Sequence, residues 1–159
     1  MEIIELAEQD LEDLSRLYKQ FWDQDSSLQK MRSTFRRLSR NPNYIFLAAK
    51  QDKYLAGSAM GIICEELYGE CKPFTVIEDV IVDEDYRRIG IGMKLMRKLE
   101  KHAVDRNCNY IIFVTDSKRT DALEFYQSLG YELDRYKGFK KRLGTGEQSI
   151  PEGIDKSRL

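Results

Sequence analysis

Two adjacent carboxylates, Glu78 and Asp79, interrupt the apolar run from Thr75 to Val82, and Arg87-Arg88-Ile89-Gly90-Ile91-Gly92 follows a short polar turn later. A carboxylate within a buried strand is costly unless partnered, so the pair has either a structural reason, lysines or amides that satisfy it, or a chemical one, a base in a proton transfer. The glycine-spaced segment has a different chemistry. Gly90 and Gly92 lack a Cβ, so backbone there can curl closely around an anion and present several N–H groups where a helix begins and its dipole favours negative charge. Arg87 and Arg88 add fixed positive charge at the same place. A diphosphate suits such a corner, although the same spacing also marks ordinary tight turns.

A strand, a turn and a helix must hold these groups. Thr75 to Val82 is rich in β-branched residues, as a strand covered on both faces should be. Beyond the glycines, Gly92, Leu95, Met96, Leu99 and Ala103 recur at helical spacing opposite Lys94, Arg97, Lys98, Glu100 and Lys101, which predicts an amphipathic helix to about Arg106. Tyr110 to Thr115 is a second apolar run of strand length, and Asp121 to Leu129 reads as a helix closed by Gly130. Strand, helix, strand in that order is the pattern of a parallel pair with a crossover helix.

Upstream, Ile3, Ile4 and Leu6 suggest a first strand. Leu11, Leu14, Leu17, Tyr18 and Phe21, then Leu28, Met31, Phe35 and Leu38, give two helices that Asn41-Pro42-Asn43 stops. Tyr44 to Ala49 and Tyr54 to Cys64 read as an antiparallel hairpin. The 159 residues suit one domain over 1–143, with a loose tail over 144–159 or one that lies on the neighbouring subunit of a homodimer.

Composition removes several classes of partner. Lys+Arg at 26 against Asp+Glu at 27 leaves no basic excess for nucleic acid. No apolar run approaches the ~20 residues of a membrane span and Met1-Glu2 does not open a signal peptide, so the expectation is a cytoplasmic protein without a membrane partner. Cys64, Cys71 and Cys108 are odd in number and His102 stands alone, which argues against a zinc site or a disulfide framework; no metal is expected. Cys64 and Cys108 read as small core residues, Cys71 as an exposed thiol and His102 as a surface side chain.

At this point the chain resembles the GNAT superfamily of N-acetyltransferases, enzymes that move an acetyl group from acetyl-CoA to an amine. Arg87-Arg88-Ile89-Gly90-Ile91-Gly92 is similar to the family's Gln/Arg-x-x-Gly-x-Gly/Ala loop, and Ile77-Glu78-Asp79-Val80 to the central strand of its small-amine branches. Ala122 to Tyr131 resembles the late helix whose tyrosine lies near the CoA sulfur. Where many members carry asparagine this chain has Arg119; Arg119-Thr120-Asp121-Ala122-Leu123-Glu124-Phe125-Tyr126 resembles a variant found in aminoalkylphosphonate acetyltransferases, among others. The resemblance implies an α/β fold in the order β-α-α-β-β-β-α-β-α-β-β, with a central mixed, mostly antiparallel sheet, one splayed parallel strand pair and flanking helices. It also implies acetyl-CoA as cosubstrate, held by Val80, Ile81, Val82, Arg87, Arg88, Ile89, Gly90, Ile91, Gly92, Met93 and Arg119.

The implied reaction asks for few groups. An aliphatic amine is an ammonium ion at neutral pH and must lose a proton before attack, which Glu78 could accept. Adjacent strand residues face opposite ways, so only one of Glu78 and Asp79 should face the acceptor unless the strand is bulged, and Glu78 is favoured by position. A backbone amide near Val80 or Ile81 would meet charge developing on the carbonyl oxygen. By the resemblance Tyr126 would protonate the departing thiolate; on pattern alone it reads more readily as a core aromatic than as a catalyst. The acceptor amine is open, with Asp23, Asp25, Glu65, Glu66 and Glu70 suited to a cation and Arg32, Arg36, Arg37 and Arg40 to a phosphate.

Overall fold

The computed structural model describes residues 1–141 and 143. They fall into two compact units, one from Met1 to Thr115 and one beginning at Asp116. In the first, β1 (Glu2–Glu5), α1 (Leu11–Trp22), α2 (Leu28–Leu38), β2 (Tyr44–Gln51), β3 (Tyr54–Cys64), β4 (Phe74–Val82), α3 (Ile91–Asp105) and β5 (Ile111–Ile112) follow in the expected order. The five strands form one sheet in sequence order, antiparallel from β1 to β4 and parallel between β4 and β5. No described helix is long and apolar enough to cross a membrane.

Both faces of the sheet are covered, as the β-branched character of β4 requires. On one face Leu11, Leu14 and Leu17 of α1 bury against Ala48, Leu55 and Ile81, with Leu28, Met31 and Phe35 of α2 packed around them. On the other face α3 lies on β2, β3 and β4 through Ile91, Leu95, Met96 and Leu99. Two glycines in β3 admit that close approach. A Cβ on Gly57 would lie 2.8 Å from the Ile81 carbonyl oxygen, and one on Gly61 would lie 2.9 Å from Leu99 Cδ2.

The ladder between β3 and β4 is not regular. Met60 pairs with Glu78 and Ser58 with Ile81, so Ala59 alone opposes two residues, Asp79 and Val80. This is a β-bulge with Asp79 at a φ of 55°. One extra residue reverses the side-chain alternation. Ile77, paired with Gly61 beneath α3, and Ile81, buried in the α1 cluster, therefore face opposite sides although they are four residues apart.

Two expectations need correction. The strand expected over Tyr110–Thr115 pairs only at Ile111–Ile112, opposite Thr75 and Val76. A bulged strand bends away from a straight neighbour, so β4 and β5 part just before the bulge. The second unit contains α4 (Thr120–Ser128), as expected, and Gly130 follows it at a φ of 94°. The two strands expected after α4 are absent among the described residues: Leu133, Tyr136 and Phe139 recur every third position and are exposed, so they supply no alternating apolar face. The expected tail over 144–159 lies outside the described residues.

Candidate active site

The bulge decides where the paired carboxylates go. Glu78 shares a face with its cross-strand partner Met60, the face on which α1 and α2 lie. Asp79, which simple alternation would send to the α3 side, instead accepts a hydrogen bond from the Tyr18 hydroxyl of α1 at 3.2 Å. Both carboxylates thus serve one side of the sheet. Burial pushes the Tyr18 phenol well above its ordinary pKa, and the Asp79 charge and hydrogen bond push it further, so Tyr18 remains a donor. The Glu78 side chain is exposed and has no hydrogen bond or ion pair among the described residues. Tyr18 also packs on Trp22 with ring centroids 5.1 Å apart, which sets a half-exposed indole beside the pair.

Past Val76 the edge of β4 that faces β5 leaves the ladder. Asp83 donates its amide to Ala56 in β3 at 2.9 Å, so alternation turns Val82 toward the open edge, where its carbonyl accepts from Arg87 Nε at 3.2 Å. The same alternation directs Val80 to that edge and Ile81 toward β3. Of the two amides expected near the reacting carbonyl, Val80 is therefore the one with the open orientation.

The glycine-spaced loop is a tight turn into α3. Arg88 has a φ of 63° and Gly90 a φ of 86°, both left-handed, and Gly90 caps the helix without a side-chain hydrogen bond. The first turn of α3 holds no acidic residue. The amides of Ile91, Gly92 and Met93 thus have no intrahelical acceptor and face outward from a positive helix end. Ile89 and Met93 are exposed, whereas the Ile91 side chain is in the core, so only its backbone can contact a ligand, and Ile81, expected among the ligand contacts, has its side chain in the core and its backbone turned to β3. A diphosphate fits this arrangement of left-handed turn, uncapped amides and flanking arginines.

Sequence reasoning missed the group that anchors this turn. Asp83 is 1% exposed and accepts from Tyr54 Oη at 2.6 Å, Arg16 Nη1 at 2.7 Å, the Asp85 amide at 3.1 Å and Gln20 Nε2 at 3.4 Å. Burial alone would raise its pKa, but those four donors together hold it down at about 2. The bond to Asp83 in turn pushes the Tyr54 phenol up to about 12. The one available signal was an acidic residue ending an apolar strand, where it caps the turn Glu84–Tyr86.

In the second unit Arg119 occupies the N-cap position of α4, its carbonyl accepting from the Ala122 and Leu123 amides at 3.1 Å each. Burial raises the pKa of the Tyr126 phenol, and the Arg119 charge acts in the opposite sense, so the two expected residues sense one another. Tyr126 packs on Phe125 and edge-on to Tyr131. Several surface charges weighed for the acceptor are engaged: Lys19 bridges Asp23 and Asp25, Lys72 meets Glu70, and Arg36 meets Glu8. Cys71 is exposed, while Cys64, Cys108 and His102 are partly buried.

A mixed sheet whose one parallel pair parts at a bulge, with a left-handed, uncapped turn at the start of the next helix, defines an α/β domain in which a carboxylate-bearing strand runs into a free helix end. Residues 9–131 match the model of the acetyltransferase (GNAT) family, and the chain belongs to that family. It is 35% identical over 75 residues to the uncharacterized protein YxbD of Bacillus subtilis, 47% of this chain and 46% of that one. It is 28% identical over 104 residues to human N-alpha-acetyltransferase 30, covering 64% of this chain and 28% of that one. The chain thus spans less than half the length of either relative. Its fold is also that of glucosamine-6-phosphate N-acetyltransferase from Arabidopsis thaliana, with a TM-score of 0.77 at 19% identity over 88% of this chain and 97% of that one.

Proposed function

We propose that the protein is an acetyl-CoA-dependent N-acetyltransferase that acetylates a primary amine of a small molecule by direct transfer in a ternary complex. The observation that carries this is the β4 bulge, which turns Glu78 and Asp79 to one face while opening the Val80 edge beside an uncapped helix end. Acetyl-CoA would supply the activated acyl group. Its diphosphate would be held by the amides from Arg88 to Met93 with Arg87 and Arg88 alongside, and Arg119 is assigned to the same ligand by family resemblance.

Glu78, its side chain exposed and without a partner among the described residues, takes the proton from the acceptor ammonium directly or through water. Asp79, tied to Tyr18, holds the bulge and lends its charge to the bound cation. The Val80 amide meets the carbonyl oxygen where negative charge develops. Tyr126, whose phenol pKa burial raises, is assigned the return of a proton to the thiolate by family resemblance, as Arg119 is assigned to the ligand.

A second reading, acetylation of a protein or peptide amine, is favoured by the match to N-alpha-acetyltransferase 30. A non-catalytic acyl-CoA-binding module is the reading from another class. Release of free thiol from acetyl-CoA, measured with polyamines, amino sugars and their phosphates, aminoalkylphosphonates, aminoglycosides, amino acids and short peptides, separates the three. Thiol release with a small amine supports the proposal; release only with peptides moves the assignment to the second reading, and CoA binding without release moves it to the third.

A further inference from the structure

Asp83 lies just past β4, four residues before Arg87, and links α1 and β3, through Arg16, Gln20, Tyr54 and Ala56, to the turn that leads to α3. Its carboxylate accepts from Asp85, its carbonyl accepts from the Tyr86 amide at 2.9 Å, and Gln20 Oε1 accepts from the Glu84 amide at 3.3 Å. Tyr54 stacks on Tyr86 at 5.3 Å, and the Arg16 guanidinium sits 4.7 Å above the Tyr54 ring while also donating to the Leu55 carbonyl. Glu84 is thereby tied to α1, Tyr86 to β3, and Asp85 to Asp83 itself. The next residue, Arg87, donates its amide to the Glu84 carbonyl at 3.4 Å and its Nε to the Val82 carbonyl at 3.2 Å.

The amides that face a diphosphate are useful only if the left-handed residues Arg88 and Gly90 are held in register with the start of α3. The side chains of Arg88–Gly90 do not enforce that register, because Arg88 and Ile89 are exposed and Gly90 has none, so it depends on how the preceding turn is held. We propose that Asp83, with Gln20 as a second tie, is the positioning residue of the CoA-binding turn, acting through Glu84–Tyr86 on the amides from Arg88 to Met93. This rests on the acetyl-CoA reading above. A purely structural Asp83 would lower stability when altered and leave ligand affinity alone; a positioning Asp83 changes affinity in a protein that is still folded.

Calorimetric titration with CoA, beside thermal melts, tests this on Asp83→Asn, Gln20→Met and a control, Lys50→Met, which loses a different buried ion pair, that with Asp10. CoA affinity should fall about tenfold in Asp83→Asn and about threefold in Gln20→Met, with no change in Lys50→Met. CoA affinity within twofold of wild type in a folded Asp83→Asn protein would overturn the inference, as would an equal loss in Lys50→Met. Should Asp83→Asn fail to fold, unchanged affinity in Gln20→Met would overturn it by the same criterion. A wild-type protein that does not bind CoA would remove the acetyl-CoA reading itself, a distinct outcome that takes the inference with it.

Discussion

Replacing Asp79 by alanine and by glycine separates the two forces that act on the β4 bulge. Asp79 has a left-handed φ of 55° and accepts the Tyr18 hydroxyl at 3.2 Å. Both substitutions remove that charge-assisted bond and leave a partly buried phenol to find another partner, a loss of about 1.5–3 kcal/mol. Any other contact of the carboxylate is lost equally from both. Alanine in addition keeps a Cβ in the left-handed region, where an L-residue without a helpful polar side chain pays about 1–2 kcal/mol. Glycine escapes that cost but gains unfolded-state entropy of about 0.5–1 kcal/mol. The net expectation is that Asp79→Ala loses about 3–4 kcal/mol and Asp79→Gly about 1 kcal/mol less. For a chain of this size that difference is about 2–4 °C in melting temperature. Differential scanning calorimetry reads it directly. Equal stabilities for the two variants, or a more stable alanine, would mean that Asp79 is not left-handed in solution and that the reasoning from the bulge fails.

Asp83, held at about 2 by its donors, contributes stability that is fully present above the ordinary aspartate range and is lost as pH falls through about 2. The wild-type protein should lose about 2 kcal/mol between pH 4 and pH 2 through this group, and Asp83→Asn should lack that component in denaturant titrations across the window. Glu78→Gln should lower turnover by about a hundredfold at pH 6 and by less as pH rises toward the pKa of the acceptor amine, read from pH–rate profiles; a flat ratio would move the base to Asp79. Tyr126→Phe should keep CoA affinity and lower kcat by about a hundredfold in steady-state assays, whereas a full-speed but less stable variant would make Tyr126 scaffold. Gly90→Val has room for its Cβ, 3.7 Å from Met93 Cε, but not for its φ of 86°, so CoA binding should weaken in calorimetry more than the fold melts earlier.

What the sequence determined by itself was local. Leu95, Met96, Leu99 and Ala103 place α3 by spacing alone, and Gly90 marks its start because a left-handed cap and close backbone approach are properties of one residue type. The same holds for α1, α2, α4 and the hairpin of β2 and β3, each set by periodicity and its stop signals. The tertiary structure decided the rest. Whether Glu78 and Asp79 share a face depends on Ala59 standing opposite two residues of another strand, and no pattern within β4 records that count. Asp83 is an ordinary aspartate in the sequence; its donors Tyr54, Gln20 and Arg16 lie 29, 63 and 67 positions away and meet only when α1 and β3 pack on β4. Tyr110 to Thr115 has the composition of a strand, yet its length is set by where a bulged neighbour bends out of reach. Side-chain periodicity is written along the chain, but register and charge pairing are contacts between distant segments, and these arise only in the folded protein.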